Sequence, residues 1–257
     1  MKIVVKVGTS TLTYPTGNLN IRHVEDLCKV ISDLKNAGNE IILVSSGAIG
    51  MGVGKLSLRE KPADMPTKQA AAAVGQCELM YTYDKYFSEY SHIIAQILLT
   101  GSDLQNDERS ANFRSTVDRL LEMKVLPVVN ENDTVATEEI AVGDNDTLAA
   151  IVAAETGADL LVLLTDIDGL YTSDPRRNTD ASLIKEVHEI NDDILRFAGE
   201  SRSSLGTGGM HTKLGAARIC MENGFDMIIA NGADPRVLYK IADGEDVGTR
   251  FFGRKKQ

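Results

Sequence analysis

The sequence is poor in the residues that build metal centres and disulfide frameworks. It has three cysteines among 257 residues. Cys28, Cys77 and Cys220 stand far apart and form no C-x-x-C pair, which argues against a zinc ribbon and against a disulfide framework. We therefore predict buried, unreactive thiols.

Histidine is also scarce, with four in the chain. Their spacing is not typical of a metal site, nor of the base that activates a serine or cysteine nucleophile. We interpret His23, His92 and His188 as surface or core residues, and His211 alone lies among other functional candidates. A carboxylate acceptor would need no base, since it is already ionised at pH 7.

Long apolar runs are missing. The first ten residues, "MKIVVKVGTS", hold an apolar run that is too short for a signal peptide and is interrupted by Lys6, and no later stretch approaches the ~18 residues of a membrane span. The formal net charge of -10 repels nucleic acids and anionic membranes. We expect a cytoplasmic protein that holds any phosphate-bearing ligand with a few local cations.

Two common nucleotide fingerprints are absent. The stretch "GTGGMHTK" at 206–213 does not match G-x-x-x-x-G-K-[ST], because Leu214 stands where the magnesium-binding hydroxyl would be, and it does not match G-x-G-x-x-G after a strand. It does lead from glycines into a helix that carries Lys213 on its first turn. Backbone amides and a lysine in this arrangement suit nucleotide phosphates, and a flexible lid hinge is the alternative.

The chain does contain a regular alternation of short apolar strands and amphipathic helices. Strands are predicted at 3–8, 40–47, 92–100, 125–133, 159–166, 183–188 and 226–232. Helices are predicted at 22–37, 68–90, 110–123, 146–158, 191–199 and 209–223. This order predicts a three-layer α/β/α sandwich with a mainly parallel central sheet. Residues 134–145 interrupt it and are predicted to form a hairpin.

Ligands of open parallel sheets bind beyond the carboxyl ends of the strands, so polar residues there are the first candidates. Lys6 interrupts the buried strand "IVVKV", and an ammonium group there must face an anion or a polar cleft. A ligand contact and a structural ion pair fit this position equally well. The turn "SSGAIG" after the second strand is typical of an anion-binding loop, or of a helix start with Ser45 or Ser46 as N-cap.

Two acidic motifs complete the set of candidates. "NEND" ends at Asp133, and "GDND" contains Asp144 and Asp146. If the predicted hairpin folds back over the strand ends, these carboxylates share one neighbourhood, suited to an ammonium group or a metal-bound phosphate. Separate Asx turns are the alternative.

The motifs taken together resemble one family. "VVKVGTSTLT", "LVSSGAIGMG", "KQAAAAVGQ", "PVVNENDTVAT", "VGDNDTLAA", "LLTDIDGLYTSDPR" and "GTGGMHTKLGAA" occur in the order found in the glutamate 5-kinases of the amino acid kinase family. The "TDIDGLYTSDPR" motif is similar to that of aspartate kinases and indicates only the wider family. "NENDTVAT" with "VGDND" is far more specific. The resemblance implies transfer of the γ-phosphoryl group of ATP to the side-chain carboxylate of L-glutamate, the first step of proline biosynthesis.

The resemblance also implies roles for individual residues. Lys6 and Lys213 would contact the transferred phosphoryl group, and Asp146 would orient both lysines, with Asp144 as the competing candidate. Residues implied to bind glutamate are Ser46, Gly47, Asp133 and Asn145. Those implied to bind the nucleotide are Lys6, Gly8, Thr165, Asp166, Thr207, Gly208, Gly209, Met210, His211, Thr212 and Lys213. ATP and Mg²⁺ would be required, with no metal site made by the protein.

Further expectations follow from the same resemblance. Residues 1–257 would form one kinase domain, with an acceptor lobe at about 1–150 and a nucleotide lobe at about 151–257. Many family members continue into a PUA domain, so this chain resembles a short form. Inhibition by proline, a homo-oligomer of two or four chains and coupling to glutamyl phosphate reductase are implied, without nucleic acid or membrane partners. The alternatives are a kinase for aspartate, acetylglutamate, carbamate or a nucleoside monophosphate, and a non-catalytic sensor.

Overall fold

The described strands form one sheet. The computed structural model describes residues 1–14, 18–60, 62–136, 145–199 and 209–254. The strands are β1 (Lys2–Val7), β2 (Glu40–Val44), β3 (Ile94–Leu99), β4 (Leu126–Glu131), β5 (Leu160–Thr165), β6 (Glu186–Val187), β7 (Asp226–Asn231) and β8 (Thr249–Phe251). They lie side by side in the order β3-β4-β2-β1-β5-β7-β8-β6, which places β1 near the centre.

Helices cover both faces of this sheet. They are α1 (Thr9–Leu12), α2 (Ile21–Asn36), α3 (Ala48–Lys55), α4 (Met65–Ser88), α5 (Gly101–Gln105), α6 (Asp107–Glu122), α7 (Asn145–Glu155), α8 (Asp192–Gly199), α9 (Met210–Asn223) and α10 (Val237–Ala242). Side chains of α2, α4 and α10 pack in one core cluster, and those of α6, α7 and α9 pack in the other. The predicted three-layer architecture is confirmed.

Strand direction explains why the apolar runs are nearly continuous. β1 pairs in parallel with β2 and β5, and β4 pairs in parallel with β2 and β3. Alternate residues of β1 enter opposite cores, with Val4 in one cluster and Ile3 and Val5 in the other. A strand buried on both faces has no polar face, which is why these runs read as uninterrupted apolar stretches.

The far edge of the sheet departs from the parallel pattern. β8 runs antiparallel to β7, and β6 pairs in parallel with β8. The sequence did not predict β8, α1, α5 or α10, each of which has at most six residues. The strand predicted at 183–188 is reduced to Glu186–Val187. The predicted hairpin at 134–145 lies largely outside the described residues.

The prediction about the cysteines is partly wrong. Cys28 and Cys220 are buried, and burial raises the pKa of both thiols. Cys77, however, is exposed. It lies on the outer face of α4, whose apolar composition continues onto the side that faces away from the core, so an apolar neighbourhood in the sequence did not mean burial. None of the described helices is long and apolar enough to cross a membrane.

Two glycines bring α3 against α4 and so position the turn that precedes α3. A Cβ atom at Gly52 would lie 1.8 Å from the carbonyl oxygen of Ala71, and one at Gly75 would lie 1.8 Å from that of Ala48. Neither position can hold a larger residue without moving a backbone. The close packing holds the "SSGA" turn at the carboxyl end of β2.

Candidate active site

The carboxyl ends of the central strands bring the candidate residues to one edge of the sheet. β1 ends next to Gly8, β2 next to Ser45, and β5 at Thr165. Two helices also begin at this edge: α7, which follows β4, and α9, which precedes β7. This is the edge at which open parallel sheets bind ligands.

Two lysines and one aspartate form the centre of the site. The Lys6 Nζ atom lies 2.6 Å from Asp146 Oδ1, and the Lys213 Nζ atom lies 2.9 Å from Asp146 Oδ2. Asp146 is fully buried, and Lys6 and Lys213 are 6% and 7% exposed. Each ammonium group contacts a different oxygen of the Asp146 carboxylate. Lys6 and Lys213, which are 207 positions apart in the chain, are thereby brought together at Asp146.

The local structure explains this convergence. Asp146 is in the first turn of α7, which packs on both β1 and α9. Lys213 is in the first turn of α9, whose N-cap, Gly209, makes no side-chain hydrogen bond to the helix amides. Thr212 donates its hydroxyl hydrogen bond to the Gly209 carbonyl at 2.8 Å and lies 3.3 Å from Asp146 Oδ2. Of the two alternatives for Lys6, the structure shows the ion pair, with Asp146. The pair lies at the carboxyl edge of the sheet, where a ligand contact is also possible.

A network of amides lies beside the lysines. Asn145 Nδ2 donates to the Ser45 carbonyl at 2.6 Å, to Ser46 Oγ at 2.8 Å and to Asn130 Oδ1 at 2.9 Å. Asn145 directly precedes Asp146, so this network and the lysine pair share one helix start. The "NEND" and "GDND" motifs therefore meet through Asn130 and Asn145, while the shared neighbourhood of Asp133, Asp144 and Asp146 stays a prediction.

The two serines in the turn after β2 face different surroundings. Ser45 is fully buried and shares a hydrogen bond of 2.9 Å with the Tyr83 hydroxyl, whereas Ser46 faces Asn145. The alternative that a serine caps α3 is wrong, since the N-cap is Gly47. Gly47 has φ +94°, a left-handed conformation that favours glycine and turns the chain out of the strand.

Asp133 is a partly buried carboxylate whose pKa is raised. Burial, and to a smaller extent the charge of Glu131, raise its pKa from 3.8 to about 6. Both effects disfavour the charged form. A cation placed beside Asp133 would relieve both, so the position suits a positively charged ligand group.

Thr165 ends β5 and Asp166 follows it, on the opposite side of β1 from β2. The Thr165 hydroxyl donates to Asp166 Oδ1 at 3.3 Å, and Asp166 faces Arg176 at 3.5 Å. Asp168 accepts hydrogen bonds from Asn231 at 2.8 Å and from the Tyr171 hydroxyl at 2.9 Å. The ends of β5 and β7 thus present a polar surface beside the start of α9.

Some predicted site residues lie elsewhere or outside the described part. Gly8 follows β1 close to Lys6, since a Cβ atom there would lie 3.8 Å from Lys6 Nζ. Met210 is buried and His211 is exposed in the first turn of α9. Asp144, Thr207 and Gly208 lie outside the described residues.

Three residues of this region had no predicted role. Gln76 of α4 bonds to Asn130, Tyr83 bonds to Ser45, and Asn231 bonds to Asp168. The available signal was a polar residue within an apolar stretch, as at Gln76 in "AAAAVGQ". Such a residue needs a buried partner, but the sequence does not say which.

This arrangement can stabilise a transferring phosphoryl group. Preorganised ammonium groups and helix N-terminal amides are the donors that such a group requires, and none of them needs a general base or a covalent intermediate. The two lysines and Asp146 adjoin the amide network of Asn145 and lie at the start of α9, whose N-cap is a glycine. The chemistry indicated is transfer of a phosphoryl group between an anion and a nucleotide.

Comparison with known proteins agrees with this geometry. The sequence pattern of the amino acid kinase family matches residues 1–231. The chain is 54% identical to a glutamate 5-kinase of Clostridium perfringens over 99% of this chain and 96% of that relative. It is 54% identical to one of Caldanaerobacter subterraneus over 99% of this chain and 68% of that relative.

The fold agrees as well. The structure of a carbamate kinase from Giardia lamblia bound to AMP-PNP superposes with a TM-score of 0.69 at 15% identity, covering 98% of each chain. That likeness concerns the fold, whereas the sequence matches extend through every motif of the site. The chain therefore belongs to the amino acid kinase family and, within it, to the glutamate 5-kinases.

Proposed function

We propose that this chain transfers the γ-phosphoryl group of ATP to the side-chain carboxylate of L-glutamate and forms L-glutamyl 5-phosphate. The observation that carries the proposal is the convergence of Lys6 and Lys213 on Asp146, next to the Asn145 network and the start of α9. Binding alone does not require two buried cations at the point where two anionic ligands would meet. This distinguishes a kinase from a sensor that only binds the same molecules.

In the proposed mechanism, positioning and electrostatics supply the catalysis. A glutamate carboxylate oxygen attacks the γ-phosphorus in line, and the bond from that phosphorus to the bridging oxygen of ADP breaks. Lys6 and Lys213 neutralise charge on the moving group, while Asp146 holds both ammonium groups in place. The amides at the start of α9 hold the adjacent phosphates.

Mg²⁺ is proposed to enter with the nucleotide. When bound, it neutralises charge on the phosphate oxygens. The hydrogen-bond donors of the site are the two lysine ammonium groups, backbone and side-chain amides, and hydroxyl groups. Such donors can bind the oxygens of a phosphate that also carries a metal ion. Among the described residues, no three His, Cys, Asp or Glu side chains lie together as a metal site.

The residues proposed to bind glutamate, here called the acceptor region, are Ser46, Gly47, Asp133 and Asn145. They are proposed to bind both ends of the substrate. Asp133 and the Asn145 side-chain oxygen would accept hydrogen bonds from the substrate ammonium group, and Ser46 would bind a carboxylate. The raised pKa of Asp133 supports this assignment, since a bound ammonium group would restore its charge. Thr165 and Asp166, together with residues 207–213, would bind the nucleotide.

An acceptor panel tests the proposed function. ATP, Mg²⁺ and hydroxylamine, which traps acyl phosphates as hydroxamates, would be incubated with the protein and L-glutamate, L-aspartate, N-acetylglutamate or carbamate. A nucleoside monophosphate would be tested by ADP release. We expect hydroxamate with L-glutamate. The proposal would be overturned if ADP were released in the presence of another acceptor and not in the presence of L-glutamate.

Two substitutions in the acceptor region are expected to weaken glutamate use selectively. Ser46→Ala and Asp133→Ala each leave a polar substrate group unsatisfied, which costs about 1–3 kcal/mol and raises KM for glutamate about 10-fold or more. KM for ATP should stay within about twofold in initial-rate assays at saturating partner substrate. If both substrates lost affinity equally, these residues would be assigned to structure.

Glutamate use should depend on pH through Asp133. Its pKa is raised to about 6, so the carboxyl group is neutral below that pH and cannot pair with an ammonium group. We therefore expect kcat/KM for glutamate to fall as pH drops through about 6, while free glutamate, with a side-chain pKa of about 4.3, stays ionised. Asp133→Asn should remove this inflection from a profile measured between pH 5 and 8. An unchanged profile would contradict the assignment.

Further proposals rest on the family resemblance alone. They are a division into an acceptor lobe at about 1–150 and a nucleotide lobe at about 151–257, feedback inhibition by proline, a homo-oligomer of two or four chains and functional coupling to glutamyl phosphate reductase. Sedimentation with and without proline would test the assembly, and initial rates at fixed glutamate would test the inhibition.

A further inference from the structure

Gln76 ends the "KQAAAAVGQ" segment, to which the proposed mechanism gives no role. It lies on α4, and its side chain faces the sheet instead of the solvent, with 7% of the residue exposed. Gln76 Oε1 accepts a hydrogen bond of 2.9 Å from Asn130 Nδ2. Gln76 Nε2 has no hydrogen-bond partner in the described part of the chain. A buried donor without a partner is unfavourable, so something must enforce this orientation.

Two backbone groups enforce it, because a backbone donor or acceptor cannot exchange roles. The Glu131 amide donates to Asn130 Oδ1 at 2.9 Å, and the Ser45 carbonyl accepts from Asn145 Nδ2 at 2.6 Å. Asn130 must therefore present its oxygen to Glu131 and its Nδ2 to Gln76. Gln76 must in turn present Oε1, which leaves its own Nε2 unpaired.

The same chain of contacts sets the polarity of Asn145 at the acceptor region. Asn130 Oδ1, fixed as an acceptor, takes a hydrogen bond from Asn145 Nδ2 at 2.9 Å. The two N–H groups of Asn145 are thus shared among three protein acceptors, the third being Ser46 Oγ. Its Oδ1 is left as the end that a ligand can use, and an amide oxygen accepts hydrogen bonds only from donors such as an ammonium group.

We infer that Gln76 is a positioning residue for the acceptor substrate. The backbone groups fix which end of each amide points where, and Gln76 holds Asn130 in position by accepting from its Nδ2. Asn130 Oδ1 can then support the Asn145 amide, whose own Oδ1 is left for the ammonium group of the amino acid. Gln76 does not touch the substrate, because its Nε2 is shielded from solvent and its Oε1 is bonded to Asn130. The inference rests on the proposed function, since it takes an amino acid as the acceptor.

Gln76→Met tests this role, because methionine fills a similar volume and removes the oxygen that Asn130 uses. Asn130 Nδ2 then lacks its partner, so Asn130 is held less firmly and supports the Asn145 amide less well, although the Ser45 carbonyl still binds Asn145 Nδ2. We expect KM for L-glutamate to rise about 10-fold, the size expected when a buried polar group loses its partner. KM for ATP should remain within about twofold, and kcat within about threefold, because the lysines are untouched.

Two further variants make the test specific. Thr82→Val removes another buried hydrogen bond of the same helix, the 2.8 Å bond to the Glu78 carbonyl, and should leave both KM values unchanged. Gln76→Glu keeps an acceptor oxygen, and burial favours its neutral acid, so KM for glutamate should rise less than about threefold. Gln76→Leu, which also removes the acceptor oxygen and should raise KM for glutamate about 10-fold, carries the test if thermal unfolding shows that Gln76→Met does not fold.

The outcomes separate this inference from the proposed function. Absence of glutamate phosphorylation by the wild-type protein would overturn the function. An active wild-type protein with an unchanged KM for glutamate in Gln76→Met would overturn only the role of Gln76. So would an equal rise of both KM values, or a Gln76→Glu variant with a 10-fold or larger rise.

Discussion

Replacing Lys213 with alanine is expected to lower kcat about 10²–10³-fold, which corresponds to roughly 3–4 kcal/mol of lost transition-state stabilisation. Lys213 Nζ lies 2.9 Å from Asp146 Oδ2, at the point where Lys6 also arrives. The ammonium group acts on charge that develops during transfer, so KM for either substrate should change far less than kcat. Initial rates of ADP release at saturating ATP and glutamate measure the effect.

The variant should remain folded, because Asp146 keeps its 2.6 Å contact with Lys6. Lys240→Ala is the matched control, since Lys240 is exposed on α10 and its loss should leave kcat unchanged. Far-ultraviolet circular dichroism would compare the folds of both variants. A Lys213→Ala protein with near-normal turnover would remove Lys213 from the mechanism.

Asp146→Asn is expected to lower the free energy of unfolding by about 3–5 kcal/mol at pH 7, the usual cost of removing one partner from a buried ion pair. Asp146 is fully buried and contacts both lysines, so the substitution leaves two ammonium groups without this carboxylate. Urea unfolding followed by circular dichroism measures the change. The same variant should lose most of its turnover, because neither ammonium group is then held in place.

MgATP should restore part of that stability, since its phosphates bring negative charge to the same lysines and stabilise the folded state by mass action. Asp193→Asn is the control: Asp193 pairs with Arg196 at 2.6 Å on an exposed face of α8. Exposed pairs of this kind contribute about 1 kcal/mol or less. A loss for Asp146→Asn no larger than that of the control would contradict the role of Asp146 as the charge that holds both lysines.

The sequence predicted the parts of the fold whose burial is complete. β4 and β5 are buried along their whole length, so their apolar runs at 125–133 and 159–166 stand out from the polar turns around them. The missed elements depend on tertiary contacts. β8 has three residues and exists through its pairing with β7 and β6, and the six residues of α10 are too few to show a helical period.

The site was predictable where a residue conflicts with its surroundings. A lysine inside the apolar strand "IVVKV" and another after three glycines are visible without a structure. The choice between Asp144 and Asp146 was not, because both flank Asn145 and the sequence does not say which one faces the core. The structure places Asp146 between the lysines, whereas Asp144 lies outside the described residues. Gln76 was missed because its partner, Asn130, is 54 positions away.

The most direct test of the central claim is a crystal structure with L-glutamate, Mg²⁺ and a nonhydrolysable ATP analogue. We expect the Nζ atoms of Lys6 and Lys213 within about 3 Å of oxygens of the γ-phosphoryl group or of its bridging atom. A glutamate carboxylate oxygen should lie about 3–3.5 Å from the γ-phosphorus on the opposite side from ADP. A γ-phosphate held away from both lysines, or a glutamate that does not face it, would contradict the account.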